Sequence, residues 1–242
     1  ITVDDAGSVS KWDVSKSKKI SERVIGKSQI DELRVSPDGQ YICCFSYDGY
    51  IELLKFKDLT HLYTFEKHRS YITSAEFNSK STELITGSGD STAIIWNLQS
   101  GNLIATLKHS GAVNVVSYSD NDELKLAACN DGTVKIWNES NSLISNIKNH
   151  LSYVAKVVEN PRSKEIISCT ETGHLFFLDI GTGKIQKNLK VHESGLYDCS
   201  LSTTKDTLIT TGHDPDIKIW DTKTLTNINT LKGHESRIRC AK

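Results

Sequence analysis

A period of about 42 residues runs through this chain, and it limits the possible folds more than any other feature. Six short segments align, at Gly7–Asp13, Gly49–Leu54, Ser91–Asn97, Gly132–Asn138, Gly173–Asp179 and Pro215–Asp221. Each carries a large apolar residue at one place, in turn Trp12, Leu54, Trp96, Trp137, Leu178 and Trp220, at steps of 42, 42, 41, 41 and 42. A second series, His68, His109, His150, His192 and His234, keeps steps of 41, 41, 42 and 42. Two unrelated residue types that hold one period point to one structural unit used repeatedly. Such units bury their faces against their neighbours.

Within a period the pattern is all strand. Across residues 66–108, strands are predicted at Tyr71–Phe77, Glu83–Gly87, Ala93–Trp96 and Asn102–Leu107. Turns fall at Gly89–Ser91 and Leu98–Gly101. The strand segments are β-branched and aromatic, and Gly, Asp, Asn and Ser separate them. No long apolar stripe appears at helical spacing.

A period near 42, four strands, a His opening each unit (Gly233-His234 in its full form) and a closing Trp-Asp resemble the WD-repeat family. The resemblance spans essentially the whole chain. It implies an all-β, WD40-type β-propeller of four-stranded blades, with six repeats visible and a six- or seven-bladed ring. Residues 1–242 would form a single domain whose repeats end near 13, 55, 97, 138, 179 and 221. Ile1–Val3 would be a second strand and Arg237–Ala241 a first strand, so both ends are expected within a blade.

The resemblance also implies a hydrogen-bonded group of His, Ser or Thr, Asp and Trp in a blade. By position, His68, Thr86, Asp90 and Trp96 make one set, and His192, Thr210, Asp214 and Trp220 another. His109, Asp131 and Trp137 make a partial set, with Ala127 where the hydroxyl belongs. His150 has Ser168, but Thr172 and Leu178 replace the acid and the indole. Around Asp48, Gly26 replaces the His and Leu54 the Trp. Such groups satisfy one another in a closed circuit, so none is orphaned when buried. The same residue types could suggest a hydrolase triad, but here they recur blade by blade. No Gly-x-Ser-x-Gly elbow, Gly-rich phosphate loop or His-Glu-x-x-His accompanies them. The chain is therefore not expected to be an enzyme.

Lys and Arg number 29 against 30 Asp and Glu, and the formal net charge is -1. Direct nucleic-acid or membrane-surface binding gains no bulk electrostatic support from that balance. No apolar run approaches the roughly 18 residues of a membrane span, and the first residues lack a secretory layout. The chain has no Met and is expected to be part of a longer protein. Six Cys lie in apolar runs without metal-ligand spacing and read as buried, reduced thiols of a cytoplasmic or nuclear protein. No cofactor and no metal are expected.

Three positions in each repeat resemble the family's usual contact sites: three and five after the His, and the one before the turn Asp. They surround the expected mouth of the central channel. Among them are Tyr71, Tyr153, Tyr197, Arg237 and Arg239, with Tyr47 and His213 before the turn acids. Tyr and Arg are enriched at interface hot spots, although such Tyr could also simply cover the channel wall. These residues suggest a protein–protein interaction scaffold or adaptor, a subunit of a eukaryotic hetero-complex. An alternative is a reader of a methylated or phosphorylated peptide, since Tyr faces suit a cation and Arg237 with Arg239 a phosphate. A propeller enzyme is the third possibility.

Overall fold

A computed structural model describes residues 1–25, 29–148, 150 and 152–241. The chain divides into two compact units, Ile1–Tyr118 and Ser119–Lys242. Among the described residues, all regular structure is β. In the first unit, β1 (Thr2–Val3), β2 (Ser8–Asp13) and β3 (Lys18–Val24) form a three-stranded sheet in chain order. β4 (Glu32–Val35), β5 (Tyr41–Phe45), β6 (Ile51–Lys55) and β7 (His61–Thr64) form a four-stranded one. Another comprises β8 (Ile72–Phe77), β9 (Glu83–Ser88), β10 (Thr92–Asn97) and β11 (Leu103–Lys108), and β12 (Val113–Tyr118) follows.

The second unit opens with β13 (Lys125–Cys129), β14 (Val134–Trp137) and β15 (Leu143–Ile147), paired in sequence. Two four-stranded sheets follow. One holds β16 (Val154–Asn160), β17 (Glu165–Thr170), β18 (His174–Asp179) and β19 (Ile185–Lys190). The other holds β20 (Leu196–Leu201), β21 (Thr207–Gly212), β22 (Ile217–Asp221) and β23 (Asn227–Leu231). These antiparallel sheets are WD40-type propeller blades, and the four strands expected in residues 66–108 are β8 to β11. Every Trp-equivalent residue of the repeat lies on a third strand.

Burial runs across each blade. β10 buries Ala93, Ile94, Ile95 and Trp96, whereas the outer β11 exposes Leu103 and Ile104. Within each unit, neighbouring blades stack face to face. In the first unit Cys43, Phe45 and Leu53 of one blade pack with Ile72, Phe77, Leu84 and Trp96 of the next. Phe65 lies between them, its ring centroid 4.6 Å from that of Trp96. In the second unit Ile167, Cys169 and Phe177 meet Leu196, Cys199 and Trp220 in the same way.

Two irregularities recur. Each third–fourth strand pair shifts register just before the Trp-equivalent residue: at Lys11/Trp12, Leu53/Leu54, Ile95/Trp96, Ile136/Trp137, Phe177/Leu178 and Ile219/Trp220. The turn that follows the third strand holds one residue with positive φ: Ser17, Leu59, Gly101, Asn141, Gly183 and Leu225. A bulge adds local twist, and the left-handed residue closes the hairpin around it.

Two expectations need correction. Residues 237–241 form no strand, because their backbone joins no ladder; Ile238 N–H instead donates to the Gly212 carbonyl at 2.9 Å. Cys240, on that segment, is consequently exposed, while the other five cysteines are buried, and all six are free thiols. Gly26 lies outside the described residues.

Phe65 is 2% exposed and joins two blades of the first unit. Phe65→Ala should cost about 3–5 kcal/mol in urea unfolding, the usual cost of a large core truncation. A change below about 1 kcal/mol would show that this blade contact does not stabilise the fold.

Candidate functional site

Cross-strand register assembles the polar circuit. Thr86 on β9 sits opposite Ile94 on β10, and Trp96 lies two residues further along the same face. The indole N–H of Trp96 thereby donates to Thr86 Oγ1 at 2.9 Å. His68 Nε2 lies 2.9 Å from the same hydroxyl, and its Nδ1 lies 2.9 Å from Asp90 Oδ2. Nδ1–H donates to the carboxylate, so Nε2 is left to accept the threonine proton. Asp90 also accepts from the Arg69 N–H at 2.9 Å and from the Thr92 hydroxyl at 2.6 Å. In the second unit Trp220 donates to Thr210 at 2.9 Å. His192 spans from Thr210, at 2.8 Å, to Asp214, at 2.5 Å. Both expected complete sets are therefore assembled.

Departures from the set are resolved individually. His150 has no acid to meet, and its Nδ1 donates to the Gly132 carbonyl at 2.9 Å while Nε2 takes the Ser168 hydroxyl at 2.8 Å. Phe176 packs edge-on against that imidazole, with centroids 4.8 Å apart. In the blade of Leu54 the hydroxyl position is Cys44, and both residues are fully buried. Burial pushes the Cys44 thiol up to about 12, so this blade holds an apolar pair where others hold a donor and an acceptor. Replacing both partners together leaves nothing unpaired. His109 belongs to the first unit, and Asp131 and Trp137 to the second. Sequence reasoning missed Thr2, whose hydroxyl accepts from the Trp12 indole at 2.9 Å. Its place ten residues before the Trp, like that of Thr86 and Thr210, is the signal that would have found it.

Burial lowers the pKa of His68 despite the opposing pull of Asp90, and it does the same to His150 and His192. Burial alone would raise the Asp90 carboxyl, but hydrogen bonds from Thr92, the Arg69 N–H and His68 hold it low. The circuit of the first unit therefore pairs a neutral imidazole with an ionised carboxylate.

The contact residues fall into clusters. In the first unit the Tyr47 and Tyr71 rings lie 6.1 Å apart, with 66% and 40% of each residue exposed. The Tyr71 ring covers Gly89, where a Cβ would stand 2.4 Å from it. In the second unit Tyr197 stacks on His213 at 4.4 Å, and Arg237 Nη1 donates to the Tyr197 hydroxyl at 3.4 Å. Tyr153 and Tyr197 line one cavity of about 270 Å³ together with Ala155, Glu171 and Leu196. Arg239 is exposed and makes no hydrogen bond or ion pair with a described residue. Three of the positions five after a repeat His are single-residue bulges in the first strand: Thr73, Ala155 and Tyr197. The bulge turns that residue out of the regular pleat.

Asp90→Ala or Asp214→Ala should cost about 1–3 kcal/mol in thermal unfolding, because a buried imidazole N–H loses its acceptor. Unchanged melting of both variants would remove the circuit from the stability account. The three lowered histidines also set a pH dependence. The unfolded chain takes up protons near the ordinary histidine value, about 6.5, before the folded chain does. Stability should thus be full above about pH 7 and fall as the pH drops toward 5, and melting scans across that range would show it. A flat profile over that window would mean that the imidazoles are not neutral in the fold.

The sequence signature described as "WD domain, G-beta repeat" matches residues 59–97, 101–138 and 183–221. Pre-mRNA-processing factor 19 of Bos taurus is 30% identical over 167 residues, 66% of this chain and 32% of that protein. Nuclear distribution protein nudF of Aspergillus niger is 31% identical over 186 residues, 74% of this chain and 42% of its own length. Eukaryotic translation initiation factor 3 subunit I of Drosophila simulans is 23% identical over 217 residues, 84% of this chain and 67% of the relative. The chain thus spans about a third of the processing-factor relatives it matches. Repeat period, blade pairing, buried circuit and these similarities agree, and the chain belongs to the WD-repeat family.

Proposed function

We propose that this chain is a protein–protein interaction scaffold or adaptor, a subunit of a multiprotein complex that docks partners on the face carrying the inter-blade loops. The observation that carries the reading is the clustering of Tyr153 and Tyr197 around one small cavity, with His213 stacked on Tyr197 and Arg237 bonded to its hydroxyl. Aromatic and Arg side chains held against a pocket are what interface hot spots use. The Tyr47–Tyr71 pair supplies a second aromatic patch of the same kind. A relative named as a subunit of a translation initiation factor supports membership of an assembly. In this reading residues 1–242 are one propeller domain of six or seven blades, working in the cytoplasm or nucleus without catalysis. Five buried free thiols suit a reducing compartment.

Recognition of a modified peptide is the second reading, favoured by two tyrosines on one cavity, because aromatic faces attract cations. Affinity capture of the full-length protein from its native cells, beside a Tyr71→Ala/Tyr153→Ala/Tyr197→Ala variant, tests both readings. Partners lost only by the variant, with melting unchanged, are the expected result. Partners retained equally would place docking elsewhere.

A further inference from the structure

Cavity size and lining say more about what enters this face. The space beside Tyr153 and Tyr197 measures about 270 Å³. Small-molecule sites run from about 300 to 1,000 Å³, so this cavity suits one side chain better than a cofactor. Two of its five lining residues offer aromatic faces, Ala155 and Leu196 complete an apolar wall, and Glu171 is the sole ionisable acid among them. The Glu171 side chain is exposed and has no hydrogen bond or ion pair to a described residue. No basic residue lines the space. A phosphate would therefore meet a carboxylate and π faces, which all repel it, whereas a cation is attracted by both.

The backbone holds this arrangement in place. Glu171 N–H donates to the Tyr153 carbonyl at 3.1 Å, which ties the turn before β18 to the segment entering β16. Gly195 permits the neighbouring strand to close in, since a Cβ there would stand 2.5 Å from the Glu171 carbonyl and 3.0 Å from the His213 ring. Tyr197 is a bulge residue, turned out of the pleat of β20. Its hydroxyl already accepts from the Arg237 guanidinium, which is exposed to solvent and does not line the cavity.

We propose that this cavity is a socket for one basic side chain, an ammonium or guanidinium group on a partner protein, held between Tyr153 and Tyr197 and neutralised by Glu171. The proposal rests on the docking reading above. It also separates the two modified-peptide possibilities by disfavouring a phosphate here. A carboxylate favours a cation that retains N–H donors.

The test is an amide chemical-shift titration of the full chain with three probes: Nα-acetyl-lysine amide, Nα-acetyl-arginine amide and the uncharged Nα-acetyl-norleucine amide. Saturable shifts at Tyr153, Glu171 and Leu196 are expected with at least one cation and not with norleucine. The tighter of the two cations identifies the head group. Glu171→Gln, at an exposed position that leaves melting unchanged, should weaken binding about fivefold, and Tyr153→Leu should do the same by removing a π face. Equal shifts with norleucine, undiminished binding by Glu171→Gln, or no shift with either cation would each overturn the socket. If the triple Tyr variant still loses its partners in those cases, the docking face survives without it. If cations bind but the triple variant keeps its partners, the socket stands and the docking reading fails.

Discussion

A four-stranded blade of about 42 residues has two faces and cannot cover either from within itself. Everything else in the chain follows from that shortage. Side chains on the second and third strands are covered in both directions, and β6, β10 and β18 are buried nearly end to end. Phe65 and Trp96 in one unit, and Phe177 and Trp220 in the other, are where the face of one blade meets the next. The outermost strands are released from this demand, and they carry Lys, Asn and Gln among their exposed positions.

A core made this way leaves little room for polar groups, yet His, Thr and Asp lie inside it. They are tolerated because hydrogen bonds run unbroken from indole to hydroxyl to imidazole to carboxylate, with Thr and His each donating and accepting and the Asp accepting at the end. The departures follow the same rule. Where the acid is missing, a backbone carbonyl accepts from His150. Where hydroxyl and indole both go, Cys44 and Leu54 fill the space without leaving a partner behind. A repeat can therefore lose both hydroxyl and indole and keep its packing.

Much of this was legible in the residues. The Trp and His series pointed to the third strands and both complete circuits, since the residue ten before each Trp position falls on the adjacent second strand and the His lies before the first. Less visible were features set by backbone geometry. Leu59 and Leu225 occupy left-handed turn positions that nothing in a leucine announces. The bulges at Thr73, Ala155 and Tyr197 depend on register, which a single strand does not encode. Arg237–Ala241 has the composition of a strand, but a strand exists only when paired, and composition does not reveal the partner. The contact positions followed from the family resemblance. That Glu171 shares a cavity with Tyr153 emerges only from the fold.

The register shifts between third and fourth strands also bear on how the protein behaves among other copies of itself. Each fourth strand is the rim of its blade, and a straight rim offers a row of unpaired amides to any passing chain. Placing one extra residue in every rim strand, at Ile20, Leu62, Ile104, Ile144, Gln186 and Ile228, breaks the even spacing that such a chain would need. Four of these residues are isoleucines at least 40% exposed, a composition that on a flat edge would invite amyloid-like stacking. The repeated bulge thus interrupts the apolar, strand-forming rims at the same place in every blade.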